Sequence, residues 1–93
     1  MGWTVILEDE NGKKVSTINA EWSFDNSSTE LSILIKYLDP YGDTKFNGLQ
    51  MDDLIDDLKK LQELNYSETT GEVIKLASQC SVTSHTCLVF YGD

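Results

Sequence analysis

Cys80, His85 and Cys87 bring the only two thiols and the only imidazole of the chain into one short segment. A thiolate beside an imidazole can act as a nucleophile, and thiols with an imidazole can ligate zinc. His85 and Cys87 stand two apart, so on a strand both would point to the same face. Neither chemistry is complete as written. A structural zinc site asks for four ligands at recognised spacings, and no second cluster supplies the fourth. A cysteine–histidine couple needs an exposed cleft and a third group to orient the ring. The plainer reading is two buried thiols in a reducing compartment and a hydrogen-bonded histidine at the start of a strand.

The second set of reactive groups is carboxylate. Asp52, Asp53, Asp56 and Asp57 are four acids in six residues. On a solvated helix face they lack the apolar pocket that raises one pKa, so they make poor acid–base catalysts. Asp39 and Asp43 flank Gly42 without the spaced ligands of a calcium loop. The chain carries no phosphate-cradling loop, dinucleotide turn, serine elbow or His-Glu-x-x-His pair. No catalytic residue, cofactor or metal is expected, and a small enzyme is the weakest of the functional readings. The aspartates instead offer a dense negative surface to a cationic partner. They also complement the dipole of their own helix, with Lys59 and Lys60 further along and Asp56–Lys60 at favourable i,i+4 spacing.

The element that presents them starts at Asn47. Its side chain can cap a helix, Gln50 can reach back to complete a capping box, and Phe46 with Met51 has hydrophobic-staple spacing. Met51, Leu54, Ile55, Leu58 and Leu61 form one apolar stripe, with the four aspartates and Glu63 assigned to the opposite side.

Composition narrows the partner. The net charge is −9, from sixteen acids against seven cations that are all lysine. Without arginine, and with so few cations, nucleic-acid binding and attachment to an anionic membrane surface are both rejected. A basic protein would be steered towards this surface. No run of eighteen apolar residues spans a bilayer, and Met1 to Asp9 has neither a basic segment nor a cleavage site. The expected compartment is the cytoplasm, and 93 residues are expected to form one domain over 1–93.

Along the chain, Trp3, Val5 and Leu7 alternate as a strand, and Asn11-Gly12 signals a type I′ hairpin. That turn would set Glu10 against Lys13, Asp9 against Lys14, Val5 against Ile18 and Trp3 against Ala20. Trp22 and Phe24 would continue the second strand. Asp25 to Thr29 reads as a polar break. Glu30 to Leu38 fits helix or strand; Ser27 with Glu30 as a cap, and Pro40 as a stop, favour helix. Residues 39–47 read as a loop, and Asn65 as a left-handed helix end. Thr69 with Glu72 caps a further helix that buries Val73, Ile74, Leu76, Ala77 and Cys80. Thr86 to Tyr91 is apolar on both faces and predicts a central strand, returned beside the first. The Tyr-Gly-Asp at 41–43 and again at 91–93 is read as coincidence. The fold expected is α+β, a three-stranded sheet with three helices over one face, ordered β-β-α-α-α-β.

The run from Leu38 to Gln50 (Leu-Asp-Pro-Tyr-Gly-Asp-Thr-Lys-Phe-Asn-Gly-Leu-Gln) and the closing Leu88-Val-Phe-Tyr-Gly-Asp93 resemble a group of small, little-characterised bacterial proteins. Those carry a similar Asp-Pro-Tyr-Gly-Asp-Thr-x-Phe-Asn-x-Leu-Gln run, and the match covers about a fifth of this chain. Size, acidity and the absent export signal also resemble immunity proteins, which bind and neutralise a cognate bacterial toxin. The resemblance implies an intracellular binding protein and brings no catalytic residues. On that reading Asp43, Asp52, Asp53, Asp56 and Asp57 steer a basic toxin domain, and Tyr41 is the aromatic anchor. The alternative is an acidic chaperone or adaptor for a secreted effector, presenting an apolar groove or a dimer face.

Overall fold

The computed structural model describes residues 2–18, 20–24, 34–39 and 41–92. Trp3–Asp9 (β1) and Lys14–Thr17 (β2) form the expected antiparallel hairpin. Its turn is different. The Asp9 carboxylate accepts the amides of Asn11 and Lys13, both at 2.9 Å, and Gly12 N–H donates to the Asp9 carbonyl at 3.0 Å. In this turn Gly12 alone takes a positive φ, 80°. A three-residue loop with a left-handed third residue therefore replaces the two-residue type I′ turn. The longer loop sets Glu8 rather than Asp9 against Lys14. An irregularity between Leu7 and Glu8 then returns the ladder to the expected register, with Leu7 opposite Ser16 and Ile6 opposite Thr17. Further along, Trp3 exchanges main-chain bonds of 2.7 and 2.9 Å with Trp22, where Ala20 was expected.

Among the described residues the sheet has four strands, not three. Thr86–Gly92 (β4) lies between β1 and Asp43–Asn47 (β3), giving the antiparallel order β2-β1-β4-β3. The last strand is central and beside the first, as its two-sided apolarity implies. β3 occupies the stretch read as a loop. Phe46 is its one buried residue, so the strand has almost no alternation of its own and takes its extended form from pairing with β4. Gly42 N–H closes the preceding turn onto Asp39 O at 3.4 Å, and a Cβ at Gly42 would lie 2.7 Å from the Asp39 carboxylate.

Two helices follow, Met51–Leu64 (α1) and Glu68–Val82 (α2), so the observed order is β-β-β-α-α-β. The third helix expected over 30–38 is absent from its described part: Ile35–Tyr37 make a single 3-10 turn, and residues 30–33 lie outside the described residues. The polar break at 25–29 lies outside them too. The reason at residues 34 and 35 is tertiary. Their amides donate to the Asp57 carboxylate at 2.7 and 3.2 Å instead of to a helix of their own. Asn47 does close a capping box with Gln50, opening a 3-10 turn over Gly48–Gln50 that runs into α1. Asn65 ends α1 in extended backbone (φ −155°), not left-handed. α2 starts earlier than Thr69, with Ser67 at the N-cap and its N–H given to Gln62 Oε1 at 2.8 Å.

Both helices bury their stripes on one face of the sheet. Met51, Leu54, Leu58 and Leu61 of α1, with Val73, Leu76, Ala77 and Cys80 of α2, meet Val5, Leu7, Phe46, Leu88 and Phe90. Trp22 completes this core: its ring meets those of Trp3, Phe24 and Phe90, and its indole N–H donates to Thr70 Oγ1 at 3.0 Å. Truncating a buried tryptophan of this kind costs about 3–5 kcal/mol. Among the described residues no helix is long and apolar enough to cross a membrane.

Candidate functional site

The aspartates of α1 divide in two. Asp52, Asp53 and Asp56 are exposed, while Asp57 is only 2% exposed and turned inward. Its oxygen that accepts Leu34 and Ile35 ties the 3-10 turn to the helix. A helix turns 100° per residue, which puts Asp57 about 40° from Leu61 and so on the flank of the core stripe. Asp57 belongs with the packing, not with the acidic surface. The i,i+4 pair of Asp56 with Lys60 is not closed either. His85 Nδ1 lies 3.5 Å from Glu10 Oε2, and both side chains are exposed. Among the described residues no cation lies within ion-pair distance of the ridge of Asp52, Asp53 and Asp56, although Lys59 and Lys60 stand on the same helix.

Tyr41 and Asp43 are exposed at the other end of β3 from the start of α1. Tyr41 is 76% exposed; its amide donates to Asp39 Oδ1 at 2.9 Å, which fixes the turn and leaves the ring in solvent. The five residues of β3 put on the order of 15–20 Å of strand between Tyr41 and the α1 ridge. The six residues expected to bind therefore form two separate exposed features and one internal residue. Most of the surrounding motif has architectural work: Asp39 and Gly42 shape the turn, Phe46 is core, and Asn47 with Gln50 caps the helix.

The thiols and the imidazole diverge. Cys80 is in the core, where its Sγ lies 3.7 Å from Thr86 O and 3.6 Å from Thr86 Oγ1. Burial pushes this thiol up, against the pull of the Thr86 hydroxyl. Cys87 lies on the opposite face of the sheet, between Glu8 of β1 and Asn47 of β3. His85 is exposed and left-handed (φ 61°), with its ring towards Glu10 rather than Cys87. Both cysteines are free. Beside His85 lies an open depression of about 280 Å³ bordered by Leu49, Ser81, Val82 and Thr83. A second, of about 290 Å³, lies between β2 and α2 and is lined by Ser16, Thr17, Glu72, Lys75 and Gln79.

The sheet face away from the helices holds a pair that sequence reasoning missed. Tyr91 donates its phenolic hydrogen to Glu8 Oε2. Tyr91 is level with Thr4 and Glu8 with Cys87, so the two side chains lean towards each other across the Ile6–Val89 row. Val89 lies in the row between them and is only 2% exposed. The phenol is pushed up to about 12, chiefly by its bond to Glu8, then by burial and by the charges of Glu8 and Asp43. Glu8, three residues from the hairpin signal, reads in sequence only as part of a charged turn; the antiparallel β1–β4 register is what brings it to Tyr91. The same register lays Tyr41-Gly42-Asp43 beside Tyr91-Gly92, with Asp43 opposite Tyr91 and Gly92 N–H bonded to Gly42 O at 2.8 Å. The recurrent Tyr-Gly, read as coincidence, is a pair in space. Compared with protein-family models, curated proteins and solved structures, the chain finds no match.

Proposed function

We propose that this protein acts by binding another protein, with Asp52, Asp53 and Asp56 meeting a cationic surface on the partner. The observation that carries this reading is the exposed row of three aspartates on α1, unpaired among the described residues, in a chain of net charge −9 that contains no arginine. Such a ridge raises the association rate by steering and sets orientation, while apolar contacts supply most of the affinity. The partner that best fits is a basic toxin domain, neutralised stoichiometrically in the bacterial cytoplasm in the manner of an immunity protein. Tyr41 lies apart from the ridge and is not part of this contact.

The test is co-expression with the protein encoded next to this one, followed by stopped-flow association of the purified pair. Replacing Asp52, Asp53 and Asp56 with asparagine should slow association roughly tenfold at low salt and flatten its salt dependence. Rescue of growth by the wild-type chain supports the immunity reading. Association rates indifferent to both the substitutions and salt would remove the ridge from the account.

A further inference from the structure

We infer that β3 is a self-pairing edge, through which two copies of the chain join their sheets about a two-fold axis passing beside Thr44. The inference uses none of the α1 aspartates and stands apart from the partner proposed above. Four observations converge on it. First, β3 is the outer strand of the order β2-β1-β4-β3. Second, its free hydrogen-bonding groups can be identified. Gly42 O accepts from Gly92 N–H, so Gly42, Thr44 and Phe46 direct their main-chain groups to β4, and Asp43 and Lys45 direct theirs outward.

Third, the strand is complementary to itself in one register. A two-fold axis normal to the sheet keeps each face continuous, so residues on the same face must meet. Thr44 opposite Thr44 puts Asp43 of each copy against Lys45 of the other, with their outward amides and carbonyls bonded reciprocally. The next register of the same parity puts Lys45 against Lys45 and calls on the Asn47 amide, which already donates to Gln50 Oε1 at 3.0 Å. Like charges and a spent donor disfavour it. Fourth, the strand is flanked by two bare apolar side chains, Tyr41 before it (76% exposed) and Leu49 after it (94% exposed). Antiparallel pairing brings the start of one β3 to the end of the other, and in this register Tyr41 stands opposite Asn47 of its mate, two residues before Leu49. A charged edge is commonly a guard against such pairing. Here the charges alternate in the one pattern that a second copy answers.

Sedimentation equilibrium from about 1 µM to about 1 mM, with the full chain, tests this. The wild type should pass from monomer to dimer. Asp43→Lys and Lys45→Asp should each stay monomeric, because each sets like charges against one another. An equimolar mixture of those two variants should dimerise, since every cross-strand pair is then opposite in sign. Circular dichroism establishes that each variant is folded, and amide exchange in the wild type reads the contact without mutation. There the Asp43 and Lys45 amides should gain protection as concentration rises. A chain still monomeric at the highest concentration, a dimer unaffected by either substitution, or a β3 edge that takes only a foreign extended peptide would overturn the inference.

Discussion

Asp57 accepts the amide hydrogen of Leu34 at 2.7 Å, across 23 residues of sequence, from a helix whose neighbouring aspartates face water. The bond makes one carboxylate of a chemically uniform cluster structural. Asp57→Ala would leave the amides of Leu34 and Ile35 without an acceptor beside buried Ile35, at a cost of about 2–3 kcal/mol. Asp52→Ala, Asp53→Ala and Asp56→Ala should each change stability by less than about 0.5 kcal/mol. Urea unfolding of the four variants decides it; equal losses at all four sites would contradict the division.

The hydrogen bond from Tyr91 to Glu8 should be visible in a spectroscopic titration. With the Tyr91 phenol pushed up to about 12 from its ordinary 10.0, one tyrosine should ionise late in the folded protein. Tyr91→Phe should delete that late step, and Glu8→Gln should move it down, because the negative acceptor is the main cause. The linkage runs in one direction. A folded-state value above the unfolded one adds stability that is whole below about pH 10 and drains away as pH climbs through about 12. Absorbance at the phenolate band reads the titration, and a curve unaltered by Tyr91→Phe would refute the assignment.

His85 holds a left-handed backbone (φ 61°) without being glycine or asparagine. Its compensation is an exposed contact with Glu10 at 3.5 Å, and exposed pairs contribute little. His85→Gly should therefore stabilise the fold by about 0.5–1 kcal/mol, the relief of left-handed strain exceeding the lost pair and the added chain entropy. Thermal unfolding near neutral pH measures this, and a clear loss of stability would mean that the imidazole is held by more than that one contact.

How far the residues themselves announced this fold depends on how local each cause was. The Asn47–Gln50 box, the hairpin and the apolar stripe of α1 are set within a few positions of one another, and all three are present. The central place of β4 was legible because burial on both faces leaves its mark on every residue of the strand. β3 was illegible for the converse reason: its partner residues lie about forty or more positions away, and Phe46 alone is buried. The turn after Asp9 went to a longer loop because the Asp9 side chain captures two amides, which a pattern of charge pairing does not reveal. The acidic cluster was legible as a surface, but the inward rotation of Asp57 depended on where Leu34 and Ile35 would lie. Tyr91 and Glu8 stand 83 positions apart, and only the ladder between first and last strands joins them.

The placement of Thr86–Gly92 between β1 and β3 also sets the order in which the molecule can be assembled. A ribosome releases the hairpin, β3 and both helices first. Until β4 emerges, β1 lacks one of its two ladder partners and β3 lacks the strand that holds it extended. Folding of this kind is slow and exposed to intruding strands, because closure waits on a distant contact. A synthetic peptide spanning residues 86–92, added to a chain cut after α2, should rejoin β1 and β3 and restore from two pieces what neither can hold alone.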